Sequence, residues 1–301
     1  MKNLIRGVLA LLILGLALPS QAAIRVLATT ADWGALTKEL GGDRVDVYIA
    51  TSAMQDVHRV EAKPSLVARA RTAELLVANG AELEAGWLPV LLQESANSRI
   101  QRGGPGFFEA ASAVRLVEIP TKLDRSMGDI HPLGNPHIHL DPHNIVAVAQ
   151  ALAATLSAVD PAGANTYAAR SADFLKRWNE AIVRWEAKAA PLKGAPVVIM
   201  HRDQVYLVRW LGLTELAAIE PKPGVPPSAG YLCELVTRLA ATPPKMILVN
   251  AYNDPKAARW LSERVHAPAV VLPYSVGGSA GAKDLFGLFD DTLASLLGAA
   301  R

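Results

Sequence analysis

The sequence predicts an α/β fold in two halves, each a parallel sheet covered by helices, with one helix between them. Apolar strand-like runs alternate with helical stretches from Ile24 onward. The alternation pauses at one long amphipathic stretch, Ala164–Ala189, and resumes after Pro191. At 301 residues, 51% hydrophobic and 19% charged, the chain has material for one large or two medium domains with buried cores, and its composition excludes global disorder.

Met1–Ala22 reads as an address. Lys2 and Arg6 precede the unbroken apolar run Gly7–Leu18, and Ser20-Gln21-Ala22 supplies small residues at a cleavage position. The run is too short for a bilayer span, which needs about 20 residues. We therefore expect a cleaved signal peptide over residues 1–22, with a buried N-terminal helix as the alternative. The one cysteine, Cys233, is far from the leader, so a soluble, exported protein without a lipid anchor is expected. No later stretch reads as long and uncharged enough to span a membrane.

In the first half, residues 23–160, strands are expected at Ile24–Thr29, Val45–Ile49, Leu75–Ala78 and Val114–Ile119. Helices are expected at Trp33–Leu40, from Pro64 to Arg71, where proline suits the first turn, at Trp87–Ser95 and at Asn144–Val159. Residues 161–190 form the connecting helix; Phe174, Trp178, Ile182 and Trp185 recur at helical spacing and read as its core face. In residues 191–301, strands at Val197–Met200, Lys245–Val249 and Ala269–Leu272 alternate with helices at Gln204–Leu211, Ala257–Val265 and Asp284–Leu297. Phe107 and Phe108 read as a packed loop anchor, and Cys233 as a small buried apolar residue at helical spacing.

Beyond the leader the chain carries 28 basic and 28 acidic residues with no basic run, which lacks the electrostatic footprint of a nucleic-acid binder. A single cysteine excludes a disulfide framework, a four-cysteine zinc ribbon and an iron–sulfur site within the chain. Gly277-Gly278 lacks the Gly-Lys-Ser/Thr of a phosphate loop.

The seven histidines carry the functional information. Four fall within Asp129–His143, at 131, 137, 139 and 143, in a proline-punctuated loop. They read as nitrogen donors for a borderline metal ion or as solvated surface residues. His201 follows the strand Val197–Met200, and His58 lies in a loop after Val45–Ile49. Ligands in open parallel sheets bind at the carboxyl ends of strands, so three post-strand loops each bearing a histidine form a constellation. His266, ending a helix, suits the negative end of the helix dipole.

These segments resemble the metal-binding solute-binding proteins of ABC transporters, the cluster A-I zinc and manganese receptors. Asp56-Val-His58 with Pro64-Ser65 resembles the family's Asp-Pro-His…Pro-Ser signature. Leu75–Gly80 with Leu83-Glu84, Asn135-Pro-His137-Ile-His139-Leu-Asp141-Pro142, and Glu220–Ser228 resemble further family segments, in order along most of the chain. The resemblance implies two Rossmann-like lobes joined by one long rigid helix, with metal in the cleft and ligands at His58, His137 and His201. His139 stands where the family has Trp, so its role stays open. The family's fourth ligand is an Asp after the last strand, but Tyr274 or Ser275 stands there. Asp284, the next acid downstream, either curls back to the metal or caps the final helix; a water is a third option.

A nitrogen-rich set suits Zn²⁺, whereas Mn²⁺ prefers more carboxylate oxygen. Cu²⁺ and Ni²⁺ would also bind tightly. The expected protein is a periplasmic, monomeric zinc receptor, neither membrane-inserted nor an enzyme, that delivers its ion to an inner-membrane ABC permease. A metallochaperone that loads it is a further candidate partner. The alternatives are an exported zinc hydrolase, for which no His-Glu-x-x-His helix is present, and a receptor for an organic solute or metal chelate.

Overall fold

The computed structural model describes residues 22–122, 128 and 131–300. The leader predicted over residues 1–22 lies outside them apart from Ala22, as does Asp129. The first sheet contains β1 (Ile24–Ala28), β2 (Val45–Ile49), β3 (Leu75–Ala78) and β4 (Phe107–Glu109) in the order β2-β1-β3-β4. The second contains β5 (Pro196–Ile199), β6 (Thr214–Ala218), β7 (Met246–Asn250) and β8 (Ala269–Leu272) in the order β6-β5-β7-β8. All the pairings are parallel, so each half repeats one topology. The interior strands β3 and β7 are buried along their whole length, which is why they read as unbroken apolar runs rather than alternating ones.

Two edge strands differ from expectation. Val114–Ile119 forms no strand. The fourth strand is Phe107–Glu109, in register with β3 from Leu76↔Phe107 to Ala78↔Glu109. The Phe107-Phe108 pair is therefore sheet rather than loop anchor, its three residues too few for a periodic signal. Residues 114–119 spend their main-chain groups elsewhere: Val117 O accepts the Asn135 N–H at 2.7 Å. In the other half, β6 is absent from the expected strands, since Thr214-Glu215 opens it with polar residues at the sheet edge.

The long helix Ala164–Ala189 (26 residues) buries Tyr167, Phe174, Trp178, Ile182 and Trp185. It packs on the last helix, Leu285–Ala299, through Trp178–Phe286 and Trp185–Phe289, with ring centroids 4.8 and 5.0 Å apart. Both indole N–H groups are satisfied, by Pro142 O at 2.9 Å and Asp290 Oδ1 at 2.8 Å. One continuous apolar core runs from Val26 and Leu75 through these aromatics to Val197 and Leu248, so the connecting helix belongs to both halves.

Pro142–Val159 corrects the expectation that no later stretch is long and uncharged enough to span a bilayer: by length and composition this helix is. Its apolar character has a local cause, because Ile145, Val148, Leu152 and Leu156 are buried in the core. Cys233, expected inside, is exposed. The helix Ala229–Leu239 buries Leu232, Leu235 and Leu239, and a one-residue offset from Leu232 rotates Cys233 about 100° away from that face.

Candidate metal centre

Four imidazoles converge between the halves. His58 lies in the loop after β2 and His201 two residues past the end of β5, while His131 and His137 belong to the segment leading from β4 to Pro142–Val159. Ring centroids stand 5.2 Å apart for His58–His131, 5.4 Å for His58–His137, 6.1 Å for His131–His137, 6.2 Å for His58–His201 and 6.0 Å for His137–His201. One donor atom each from His58, His131 and His137 lies within 4.8 Å of the others. The Nε2 atoms of His58 and His131 are 3.2 Å apart, close to the roughly 3.3 Å separating two nitrogens that share a tetrahedral zinc at 2.0–2.1 Å. The donor set therefore fits a nitrogen-preferring divalent cation.

The surrounding contacts explain why these loops take these paths. Glu84 is buried and accepts from Thr29 Oγ1 at 2.6 Å and from the N–H groups of Asn79 and Gly80 at 2.7 and 3.1 Å. Asn79 in turn donates through Nδ2 to Pro136 O at 2.8 Å, next to His137. The Trp87 indole donates to Val57 O at 2.9 Å, beside His58. Gly86 lets the two loops close up, since a Cβ there would stand 2.9 Å from His58 O.

Three rings have an Nδ1 partner. His58 faces Asp56 Oδ1 at 2.7 Å, His201 faces Glu220 Oε2 at 2.6 Å, and His137 faces the Tyr274 hydroxyl at 2.8 Å. A carboxylate can only accept, so Asp56 and Glu220 hold the Nδ1–H and leave Nε2 as the atom available to a metal. Tyr274 must also accept for His137 to present Nε2. Tyr274 has φ +64, an unfavourable left-handed conformation for a residue with a side chain. Its carbonyl accepts from His139 Nε2 at 2.9 Å. Through that contact buried His139 braces the residue that orients His137.

The electrostatics differ from ring to ring. Burial, reinforced by the neighbouring His58 and His201, lowers His131 to about 4 and His137 well below the usual imidazole range. Burial acts the same way on His201, but Asp203 and Glu220 outweigh it and raise that ring to about 9. Asp203 is fully buried and burial raises it; Tyr252 donates to its Oδ2 at 2.5 Å and Asn250 does so as well. A cavity of about 460 Å³ opens onto His131, His137 and His201, walled by Glu118, Asn135 and Arg202.

The structure thus brings His58, His137 and His201 together and adds His131, which sequence reasoning places in the histidine-rich loop but does not select. It does not bring Asp284 to them. That carboxylate accepts the Gly287 N–H at 2.8 Å as the N-cap of the last helix, so of the roles open to it the structure shows the capping one. Ser275 is also occupied elsewhere, donating to Asp32 Oδ2 at 2.8 Å. His143 pairs with Glu186 at the surface at 2.8 Å, and His266 forms a left-handed helix C-cap.

A family model described as zinc-uptake complex component A, periplasmic (ZnuA), matches residues 26–299. The manganese ABC transporter substrate-binding lipoprotein PsaA of Streptococcus mitis is 27% identical over 141 residues, 46% of this chain and 42% of its own length. The chain therefore spans less than half of the streptococcal relatives it matches. The high-affinity zinc uptake system protein ZnuA of Paracoccus denitrificans is 25% identical over 325 aligned residues, 94% of this chain and 95% of that protein. Among solved structures, a crystal structure of ZnuA superposes with a TM-score of 0.77 at 21% identity, covering 93% of this chain and all (100%) of that one. The Cd-bound periplasmic metal binding protein of Candidatus Liberibacter asiaticus gives 0.75 at 18% identity, covering 92% and 100%. At such identities these two likenesses concern the fold.

Proposed function

The chain belongs to the periplasmic zinc-uptake complex component A family, and on that premise we propose that it captures Zn²⁺ in the periplasm and delivers it to an inner-membrane ABC importer. The observation that carries this reading is the convergence of imidazoles from both halves on one point, with His58 and His131 already at the spacing of two ligands of one ion. The substrate is the ion itself. His58, His131 and His137 receive it from one side and His201 closes on it from the other, each presenting Nε2. A nitrogen-only set favours zinc over manganese, which prefers carboxylate oxygen.

Carriage fits better than turnover. A zinc hydrolase needs a general base poised beside the metal-bound water. The carboxylates that touch the rings, Asp56 and Glu220, are engaged with Nδ1 atoms, and Asp203 is fully buried, its Oδ2 held by Tyr252 and Asn250 and its Oδ1 without a hydrogen-bond partner. Competition titration of the purified protein with Zn²⁺, Mn²⁺ and Cu²⁺ tests the proposal. Zinc should displace manganese, and uptake into cells should require the permease. Equal or tighter binding of manganese would overturn the choice of metal.

A further inference from the structure

Beside the ligands, a second set of polar contacts crosses the cleft. Asn135, two residues before His137, is buried and uses every polar group it has. Its N–H donates to Val117 O at 2.7 Å and its Oδ1 accepts the His137 N–H at 3.1 Å. Its Nδ2 donates to Glu118 Oε2 at 3.1 Å and to the main-chain oxygen of Arg202 at 2.8 Å. Its carbonyl accepts from the Tyr206 hydroxyl at 2.8 Å, and that hydroxyl also accepts the Val117 N–H at 3.3 Å. The Arg202 guanidinium, next to His201, pairs with Glu118 across the cleft and with Glu215 at 2.9 Å. Glu118 holds φ +54, a left-handed conformation that persists in a non-glycine residue when surrounding contacts enforce it.

We propose that Asn135 and the Glu118–Arg202 pair are positioning residues: they staple the chain beside His137 to the chain beside His201 and so set how fast bound metal leaves. The staple joins Val117, Glu118 and Asn135 of one half to residues 202–206 of the other, adjacent to a ligand on each side. An ion shared by ligands from both halves escapes when they separate, and each inter-half contact adds to the barrier against separation. Glu118 strain makes the closed arrangement dependent on these contacts, because losing Arg202 frees the backbone to relax. The consequence for metal release rests on the zinc-receptor reading; the existence of the staple does not.

Stopped-flow zinc dissociation into excess chelator tests the rate, using the full chain with Glu118→Gln, Arg202→Gln, Arg202→Lys and Tyr206→Phe. Glu118→Gln and Arg202→Gln should each release zinc about two- to fivefold faster, the loss expected when one partner of a partly exposed charge pair is removed, with association unchanged. The double variant should release no faster than either single one, and Arg202→Lys should recover most of the wild-type rate. General destabilisation would give neither the non-additivity nor the rescue. A metal-free arm separates the two readings. Spin labels on exposed Cys233 and on an introduced Val90→Cys report the distance between the halves, which should lengthen and broaden in Glu118→Gln. Unchanged dissociation rates in a zinc-binding wild type would overturn the positioning role, and an unchanged distance distribution would overturn the staple. A wild type that binds no zinc, with distances still widening in the variant, would remove the receptor reading and leave the staple.

Discussion

Among the described residues, the N-terminal sheet and its loops deliver His58, His131 and His137 to the cleft, whereas the C-terminal sheet delivers His201. The two sides also differ in charge. Burial keeps His131 and His137 neutral, down at about 4 and well below the usual range, while Asp203 and Glu220 hold His201 protonated up to about 9. Both sides bury their rings, so burial alone does not decide protonation; the carboxylates behind His201 reverse its sign. One half offers free nitrogens to an arriving cation, and the other must exchange a proton for it. On the proposed zinc-receptor reading, capture then divides into docking on the N-terminal trio and closure by His201.

Removing ligands from each side should break this division most visibly. His137→Ala takes the most buried ring from the trio and should weaken zinc binding by well over a hundredfold, beyond the roughly 10–100-fold typical of outer-shell changes. His201→Ala should leave a weaker, three-nitrogen site on the N-terminal side. Chelator competition at neutral pH measures both. If the His201 variant binds as tightly as wild type, closure from the second half is not part of the site.

The pH dependence comes next in size. For zinc, His201 contributes one displaced proton, so apparent affinity should climb about tenfold per pH unit from neutral toward about 9. His131 and His137 add no slope there because they are already neutral. The slope should flatten in His201→Ala. In the metal-free protein the signs oppose one another. The raised value of His201 adds stability below its unfolded value of about 6.5 that is lost as pH rises toward 9. The lowered value of His131 removes stability as pH falls from 6.5 toward 4. Thermal melts against pH, without metal, should show both flanks; a flat profile from 4 to 9 would contradict the assignment.

A smaller effect isolates the cause of that asymmetry. Glu220→Gln keeps an acceptor for His201 Nδ1 but removes the charge, and Gly224 loses the carboxylate that now accepts its N–H at 2.8 Å. Zinc affinity should fall about 10–100-fold, with a shallower pH slope. Equal loss with an unchanged slope would assign the proton to another group.

The sequence carries much of this in uneven measure. Strands β3, β5 and β7 are legible because burial on both faces makes them continuous apolar runs. Edge strands β4 and β6 are not, being three residues long in one case and polar at the start in the other. His58, His137 and His201 stand out by their place after strands and within recognisable motifs. His131 has no such signal, since its position depends on how a proline-punctuated loop folds back against His58. The Tyr274 role is equally hidden, because it depends on a left-handed backbone that the preceding Pro273 does not announce.

Asp284 gives the smallest and most discriminating case. As the nearest acid after the last strand it has two physical readings, ligand or cap, and local sequence does not separate them, because a carboxylate satisfies either demand. The structure assigns its Oδ1 to the Gly287 N–H at 2.8 Å, at the start of Leu285–Ala299. Removing an N-cap costs about 1 kcal/mol, and the last helix packs on the aromatic face of the connecting helix, so the loss should spread to global stability. Asp284→Ala should therefore lower the melting temperature modestly while leaving zinc affinity and its pH slope at wild-type values. A drop in zinc affinity would mean that the C-terminal half supplies an oxygen as well as a nitrogen. The contrast of neutral His131 and His137 against charged His201 would then need a carboxylate on its cationic side.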